Sequence, residues 1–192
     1  MNLNEVDIND TDEIGWTPLN WAMELNREDV VRFLLTQPEL KLDRMGGHTS
    51  TTALIKACRL DNVSVIRLVC QDERCTPEVI NSKNSFGETA LMVAVRNGHL
   101  EVVKELEKVE GIRFDTKNRV GQTLIEVARR NQDIRMLQYL RERKRKTLQG
   151  LAASTVASLI QHREDIDDLV NDQHITMCLK DEVADFVDSE SE

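Results

Sequence analysis

The sequence has few of the residues that mark a large single core, a membrane span or a disulfide framework. Of its 192 residues only 4% are aromatic, three are proline and four are cysteine. Few aromatics are typical of thin helical layers packed with Leu, Val, Ile and Ala. No apolar run approaches the ~18 residues that a membrane helix needs, and the first ten residues lack the features of a signal peptide. We therefore expect a soluble protein with reduced thiols, cytoplasmic or, as the alternative, nuclear.

Positive charge is also scarce. The chain has 34 acidic and 25 basic residues and a net charge of −9, which argues against a general nucleic-acid binder. Five of the basic residues lie within the six positions of Arg141–Lys146, and none follows Lys180. We interpret the basic run as the end of a helix, where cations are favourable. A nuclear-import signal or a phosphate-binding patch is the alternative interpretation.

The sequence does contain one motif in four copies. Each copy begins with a threonine, and an apolar segment follows that includes an alanine five residues later. The head threonines, spaced 34 to 37 residues apart, are Thr17, Thr52, Thr89 and Thr123. In the third copy, Gly87 predicts a turn and the residues from Thr89 to Val95 predict a first helix. A break at Asn97-Gly98 and a second helix from about His99 to Leu106 complete the unit.

A period near 33 residues with T-P-L-x-x-A at the head, as in Thr17–Ala22, resembles the ankyrin repeat. The resemblance covers roughly Val6 to Leu140. It implies an all-α ankyrin-repeat solenoid of about four helix-turn-helix units, none of which is stable alone. The predicted divisions are a remnant of a preceding repeat or turn (1–14), the repeats (15–146), a small helical C-terminal module (147–187) and an acidic tail (188–192). The region from Cys70 to Pro77 is expected to form a longer loop.

The resemblance also implies a concave groove made of turn tips and inner-helix ends. By register, the groove residues are Glu13, Ile14, Trp16, Leu25, His48, Arg59, Phe86, Glu88, Arg96, Arg119 and Arg130. Trp and Arg dominate interface energetics, and Arg grips carboxylates in a fork. We therefore expect an acidic or mixed peptide partner. The alternative for Trp16 is that it folds back onto the neighbouring turn.

A second resemblance follows the repeats. Thr147-Leu148 with Ala152 and Val156 is similar to the elongin-binding helix of the SOCS box, [S/T]-L-x-x-x-[C/S/A]-x-x-x-Φ. The spacing gives such a helix one apolar face, made of Leu148, Leu151, Ala152, Val156 and Leu159. Ile175–Lys180 stands where such boxes contact a cullin. The resemblance implies a ubiquitin-ligase substrate receptor that docks on elongin B and C and on a cullin.

Two departures from the SOCS pattern keep a rival interpretation open. Ala152 replaces the preferred cysteine, and the Leu-Pro pair of the cullin element is absent because no proline follows Pro77. The alternative is an ankyrin scaffold or inhibitor whose C-terminal helices only cap the repeat stack.

The sequence lacks catalytic motifs. It has no phosphate-binding glycine loop, no H-E-x-x-H pair and no nucleophile elbow, so we expect neither an enzyme nor a cofactor. His99 stands in the family's Gly-His position, where the side chain bonds neighbouring backbone. A zinc site from His48, Cys70 and Cys75 is disfavoured, because the spacing does not supply two ligand pairs. The prediction is a non-catalytic protein-interaction module without a metal, membrane or nucleic-acid partner.

Overall fold

The computed structural model describes residues 7–161 of the chain, and the side chains of residues 7–151. Within this range the named elements are all α-helices, and an isolated β-bridge joins Gly46 to Thr51. The helices are α1 (Pro18–Glu24), α2 (Glu28–Leu35), α3 (Ala53–Arg59), α4 (Val63–Cys70), α5 (Pro77–Ile80), α6 (Ala90–Asn97), α7 (Leu100–Glu107), α8 (Leu124–Arg130) and α9 (Ile134–Gln161). The predicted all-α class is confirmed.

The head threonines begin the first helix of each pair. In all four units the threonine is the N-cap residue, and its hydroxyl accepts a hydrogen bond from the backbone N–H three residues later. In the first and fourth units the bond is returned, since the side chains of Asn20 and Glu126 accept from the N-cap backbone. Each cap satisfies a helix-end donor that would otherwise lack a partner. The head threonines that mark each repeat in the sequence are thus the residues at which the first helix of each pair begins.

The pairs stack so that like helices meet. The inner helices α1, α3, α6 and α8 contact one another in chain order, and so do the outer helices α2, α4 and α7. The apolar face between them is closed to water: Leu54, Ile66, Leu91 and Leu106 are all at most 2% exposed. Removal of this apolar surface from water is the main favourable term in the stack.

Each break between the helices of a pair reaches back to the preceding unit. The Asn62 side-chain amide donates to the Met23 carbonyl at 3.1 Å, and His99 Nε2 lies 3.1 Å from the Arg59 carbonyl oxygen. Asn131 donates to the Arg96 carbonyl in the same way. These bonds satisfy carbonyls near the ends of the inner helices. The structural role expected for His99 is confirmed by its contact.

The second turn is built differently from the others. In the other three units a glycine stands two places before the head threonine with φ between 74° and 83°, whereas Ser50 holds that position with φ 44°. The second turn is also one residue longer, since its backbone bonds join Gly46 to Thr51. A non-glycine residue in the left-handed region is uncommon, and the paired Gly46–Thr51 backbone holds Ser50 there.

The loop after α4 contains a helix that the sequence reading did not anticipate. Pro77 begins the one-turn helix α5, where its missing N–H has no consequence, and Ile80 is fully buried. Arg74 fixes the preceding residues, because its guanidinium donates to the carbonyls of Leu35 and Gln37 at 2.7 Å each and pairs with Asp72 at 2.7 Å. The extra residues are therefore an ordered connection.

The last outer helix continues past the predicted end of the repeats. α9 runs from Ile134 to Gln161 without a break near residue 146, and an ion pair one turn apart joins Glu142 to Lys146 at 2.9 Å. The compact unit that holds the repeats ends at Arg141, and Glu142 begins a second unit. The predicted cullin element, Ile175–Lys180, and the acidic tail lie outside the described residues.

Residues 7–10 resemble the tail of a repeat. Asn9 is 5% exposed; its amide donates to the Glu39 carbonyl at 2.8 Å, and its Oδ1 accepts from the Lys41 N–H at 2.7 Å. Asn81 makes the same two bonds two repeats further on, to the Gly111 carbonyl and the Arg113 N–H. Asn9 and Asn81 thus occupy equivalent positions, eight residues before the head threonines of the first and third units.

Gly87→Ala should destabilise the stack more than Gly121→Ala does. Both glycines have a positive φ, but a Cβ on Gly87 would lie 2.8 Å from the Arg119 backbone nitrogen, whereas one on Gly121 meets nothing within 4 Å. We expect a loss of about 1 kcal/mol for Gly121→Ala and of at least about 2 kcal/mol for Gly87→Ala. Chemical denaturation measures both values, and equal losses would contradict the close approach.

An ion-pair network joins two neighbouring outer helices. Glu105 of α7, whose side chain is 11% exposed, accepts from Arg67 of α4 at 2.9 Å and from Lys108 at 2.9 Å. The Arg67 and Lys108 hydrogen bonds lower the pKa of Glu105 from 4.5 to about 2. A carboxyl with a depressed folded pKa stabilises the fold above pH 4.5, and the stabilisation is lost as the pH falls towards 2.

Glu105→Gln should lower the free energy of unfolding by about 1 kcal/mol at neutral pH. The difference from the wild-type chain should shrink as the pH falls below 4.5 and vanish near pH 2. The matched control is Glu101→Gln in the same helix, since Glu101 is 67% exposed and pairs only with Lys104 among the described residues. Urea denaturation at several pH values tests this, and a pH-independent difference would contradict the role of the Glu105 charge.

Candidate functional site

Each of the four turns has an exposed residue at the position three places before its head threonine. These tips are Ile14, Thr49, Phe86 and Val120, and the apolar three are 44%, 58% and 76% exposed. Backbone bonds join neighbouring turns: the Ser85 N–H donates to the Thr49 carbonyl at 2.9 Å, and the Arg119 N–H donates to the Phe86 carbonyl at 3.0 Å. Main-chain bonding therefore fixes the spacing of the last three tips.

A short polar side chain holds each of three turns from inside. In the third turn Asn84 Oδ1 accepts from the Phe86 N–H at 2.9 Å and from the Glu88 N–H at 3.0 Å. Asp12 and Asn118 do the same in the first and fourth turns. The sequence reading missed this role, although an Asp or Asn five places before the threonine in three units was a usable signal.

The downstream pocket, between the third and fourth turns, has a volume of about 710 Å³. Five of the predicted groove residues lie in its lining: Phe86, Glu88, Arg96, Arg119 and Arg130. Val120, Asn118 and Asn131 complete much of the wall. The third and fourth repeats therefore bring together the aromatic and basic side chains that the register placed in one groove.

The four groove arginines differ in their partners. Arg96 is held by Glu88, 7% exposed, with Nε 3.1 Å from Oε1, and Arg59 is held by Glu24 at 2.7 Å. No acidic side chain in the described part of the chain lies within ion-pair distance of Arg119 or Arg130. Glu88 thus positions Arg96 rather than facing a partner, and the unneutralised positive charge of the pocket lies on its fourth-repeat side.

The upstream pocket is smaller, about 290 Å³, and lies among the turns of the first three repeats. Trp16, Lys56, Arg59, Phe86 and Arg96 are in its lining, so Phe86 and Arg96 belong to both pockets. The Trp16 ring packs against Trp21 in a tilted arrangement, with centroids 4.5 Å apart and an interplanar angle of 53°. Trp16 Nε1 also lies 2.7 Å from where a Cβ of Gly47 would stand. Trp16 therefore packs against the neighbouring turn and still lines the pocket.

Four predicted groove residues lie outside both linings. Glu13, Ile14, Leu25 and His48 are exposed, but none of them lines a pocket. In contrast, Lys56 and Asn118 line the pockets and were not predicted. Lys56 had a signal in the sequence, because the other three units have an apolar residue four places after the head threonine.

No group of three or more His, Cys, Asp and Glu side chains in the described part of the chain could hold a metal ion. Burial raises the pKa of the Cys58 thiol, which keeps it protonated and poorly nucleophilic. None of the described helices is long and apolar enough to cross a membrane.

The SOCS-like positions lie within α9. The side chains of Leu148 and Leu151 are 40% and 60% exposed. Ala152, Val156 and Leu159 are in the same helix, but their side chains lie outside the described ones. The backbone is thus helical across the whole motif.

These features define the class of the protein, a helical-repeat solenoid with exposed turn tips. A family model for ankyrin repeats (3 copies) matches residues 1–80, 40–118 and 76–150. The chain therefore belongs to the ankyrin-repeat family. Ankyrin repeats generally mediate protein–protein interactions, and proteins built from them are generally not enzymes. A search of curated proteins finds no match to this chain.

Proposed function

We propose that this chain recognises a protein segment in the downstream pocket, without catalysis. The observation that carries the proposal is the meeting of an exposed aromatic, Phe86, with two arginines that have no carboxylate partner among the described residues, Arg119 and Arg130. An exposed aromatic beside available guanidinium groups is the composition of an interface hot spot. Val120, at 76% exposure, adds apolar surface that is costly to leave in water.

The charges favour an acidic side chain in the partner. Arg96 is already neutralised by Glu88, so a partner carboxylate gains most from Arg119 and Arg130. A guanidinium can donate two parallel hydrogen bonds to one carboxylate, which fixes its orientation. Apolar neighbours of that carboxylate would cover Phe86 and Val120. Acidic and apolar residues therefore alternate along the partner segment.

Selection of peptides from a displayed random library against the intact chain should enrich Asp or Glu next to apolar residues. Arg119→Glu and Arg130→Glu should each weaken binding of the selected peptides at least tenfold, about 1.4 kcal/mol, because the charge is reversed. The matched control is Arg129→Glu, which makes the same change one residue away and outside the pocket lining. Fluorescence anisotropy measures the affinities. Selected peptides without acidic residues, or unchanged binding to Arg119→Glu, would rule out this pocket.

For the C-terminal segment, the proposed role is docking on elongin B and C, which would make the chain a substrate receptor of a cullin ubiquitin ligase. The support is the resemblance to the SOCS box together with a helical backbone over the motif and the exposure of Leu148. A leucine left 40% exposed on a helix is available to insert into a partner's groove. Cullin engagement would depend on residues beyond the described part of the chain.

Co-expression with elongin B and C should yield a complex that survives size-exclusion chromatography. Leu148→Asp should abolish the complex, because a charge would replace the side chain that enters the apolar groove. The control is Gln149→Asp, which introduces the same charge at an adjacent exposed position. A complex that tolerates Leu148→Asp, or no complex with the wild-type chain, would favour the scaffold or inhibitor whose C-terminal helices only cap the repeats.

A further inference from the structure

Lys56 places a charge where the other repeats have an apolar side chain. It stands four residues after the head threonine, the position of Trp21, Val93 and Val127 in the other units. Its side chain is only 9% exposed. Burial of a charge is costly unless the charge is paired and hydrogen-bonded. A departure from the repeat pattern that carries such a cost is the kind found at functional sites.

The contacts of Lys56 leave its hydrogen-bonding capacity unused. The ammonium lies over the Trp16 ring in a cation–π arrangement. Glu24 Oε2 is 3.7 Å from Nζ, beyond hydrogen-bond distance, and Oε2 is itself buried without a hydrogen-bond partner. Glu24 Oε1 is occupied by Arg59 at 2.7 Å. No described residue accepts a hydrogen bond from Nζ, which has three protons to donate. Loss of hydration lowers the pKa of Lys56, against the raising effect of Glu24.

The upstream pocket gives this ammonium access to a partner. Lys56, Arg59 and Arg96 line it, while Glu24 and Glu88 hold the two arginines. Because the two arginines are already paired, Lys56 is the lining cation left for a partner, and a single ammonium matches a monoanion such as a carboxylate better than a phosphate dianion. The aromatic rings of Trp16 and Phe86 lie in the same wall and suit apolar groups beside that carboxylate.

We propose that the upstream pocket is a second carboxylate subsite, in which Lys56 Nζ donates hydrogen bonds to an acidic side chain of the bound segment. The inference rests on the proposed function, since the same segment would continue from the downstream pocket across Phe86 and Arg96, which line both. The carboxylate of the bound segment would accept the hydrogen bonds from Lys56 Nζ that Glu24 does not accept. Trp16 would contact the apolar residue beside that carboxylate.

The two tryptophans of the sequence give a specific readout, because both belong to this cluster. The probe is the pentapeptide acetyl-Ala-Leu-Glu-Leu-Ala-amide, with its Gln counterpart as the uncharged control. Titration of the full chain with the Glu peptide should produce a saturable change in tryptophan emission. The Gln peptide should bind at least tenfold more weakly. Equal responses to the two peptides, or no response to either, would overturn the proposal.

Lys56→Met should weaken binding of the Glu peptide at least tenfold, whereas the same change at Lys41, exposed and outside the pocket lining, should leave it unchanged. The thermal midpoint of Lys56→Met shows whether the variant is folded, and Arg59 still pairs with Glu24 in it. Undiminished binding by Lys56→Met would overturn the assignment. If that variant does not fold, the comparison of the Glu and Gln peptides on the wild-type chain still decides.

Arg119→Glu separates this inference from the proposed function. It should leave the pentapeptide titration unchanged, because Arg119 lines only the downstream pocket. Loss of library-selected binding in Arg119→Glu together with unchanged binding in Lys56→Met would retain the downstream pocket and remove the carboxylate subsite. Loss of pentapeptide binding in Lys56→Met, with library-selected binding unchanged in Arg119→Glu, would retain the carboxylate subsite and remove the downstream pocket.

Discussion

Close contact between successive inner helices is the constraint on which the rest of the structure depends. The alanine five places after each head threonine is buried in all four repeats: Ala22 is 4% exposed, and Ala57, Ala94 and Ala128 are fully buried. A methyl side chain lets neighbouring helices approach closely and leaves no void between layers. Because that spacing repeats, the turns attached to the helices can bond to one another through their backbones. The proposed recognition surface thus depends on the packing behind it.

Ion pairs within the protein determine which charged side chains of the groove remain available to a partner. A row of arginines in the sequence suggests a uniformly basic strip, yet Glu24 and Glu88 neutralise Arg59 and Arg96. Each such pair holds the guanidinium group in place and weakens the electrostatic attraction that the arginine can exert on a partner. Specificity then resides in the side chains left without an internal partner. In the repeats, an acidic residue on a neighbouring turn or helix is therefore as informative about binding as the arginine it holds.

The two ends of the groove differ in chemistry although they share one backbone pattern. Trp16, Trp21 and Lys56 form an aromatic and cationic cluster at the upstream end, where the equivalent later positions Val93 and Val127 are buried and apolar. At the downstream end the proposed recognition residues are Phe86 and Val120 on the turn tips, Arg119 beside Val120, and Arg130 at the end of α8. The repeat keeps the buried alanines and the capping threonines constant and varies the positions that face the concave side. One scaffold can thereby present distinct subsites along a single bound segment.

The sequence by itself determined the fold class, the number of layers and the register, because four threonine heads at near-constant spacing permit one consistent stacking. It also determined the caps, which depend on local backbone donors, and it placed five groove residues together. Only the tertiary structure decided which arginines are paired, since Glu24 lies 35 residues from Arg59 along the chain. The same holds for the burial of Lys56 under Trp16. Contacts between different repeats depend on distances that one-dimensional spacing does not encode, whereas helices and caps depend on neighbours within a few residues.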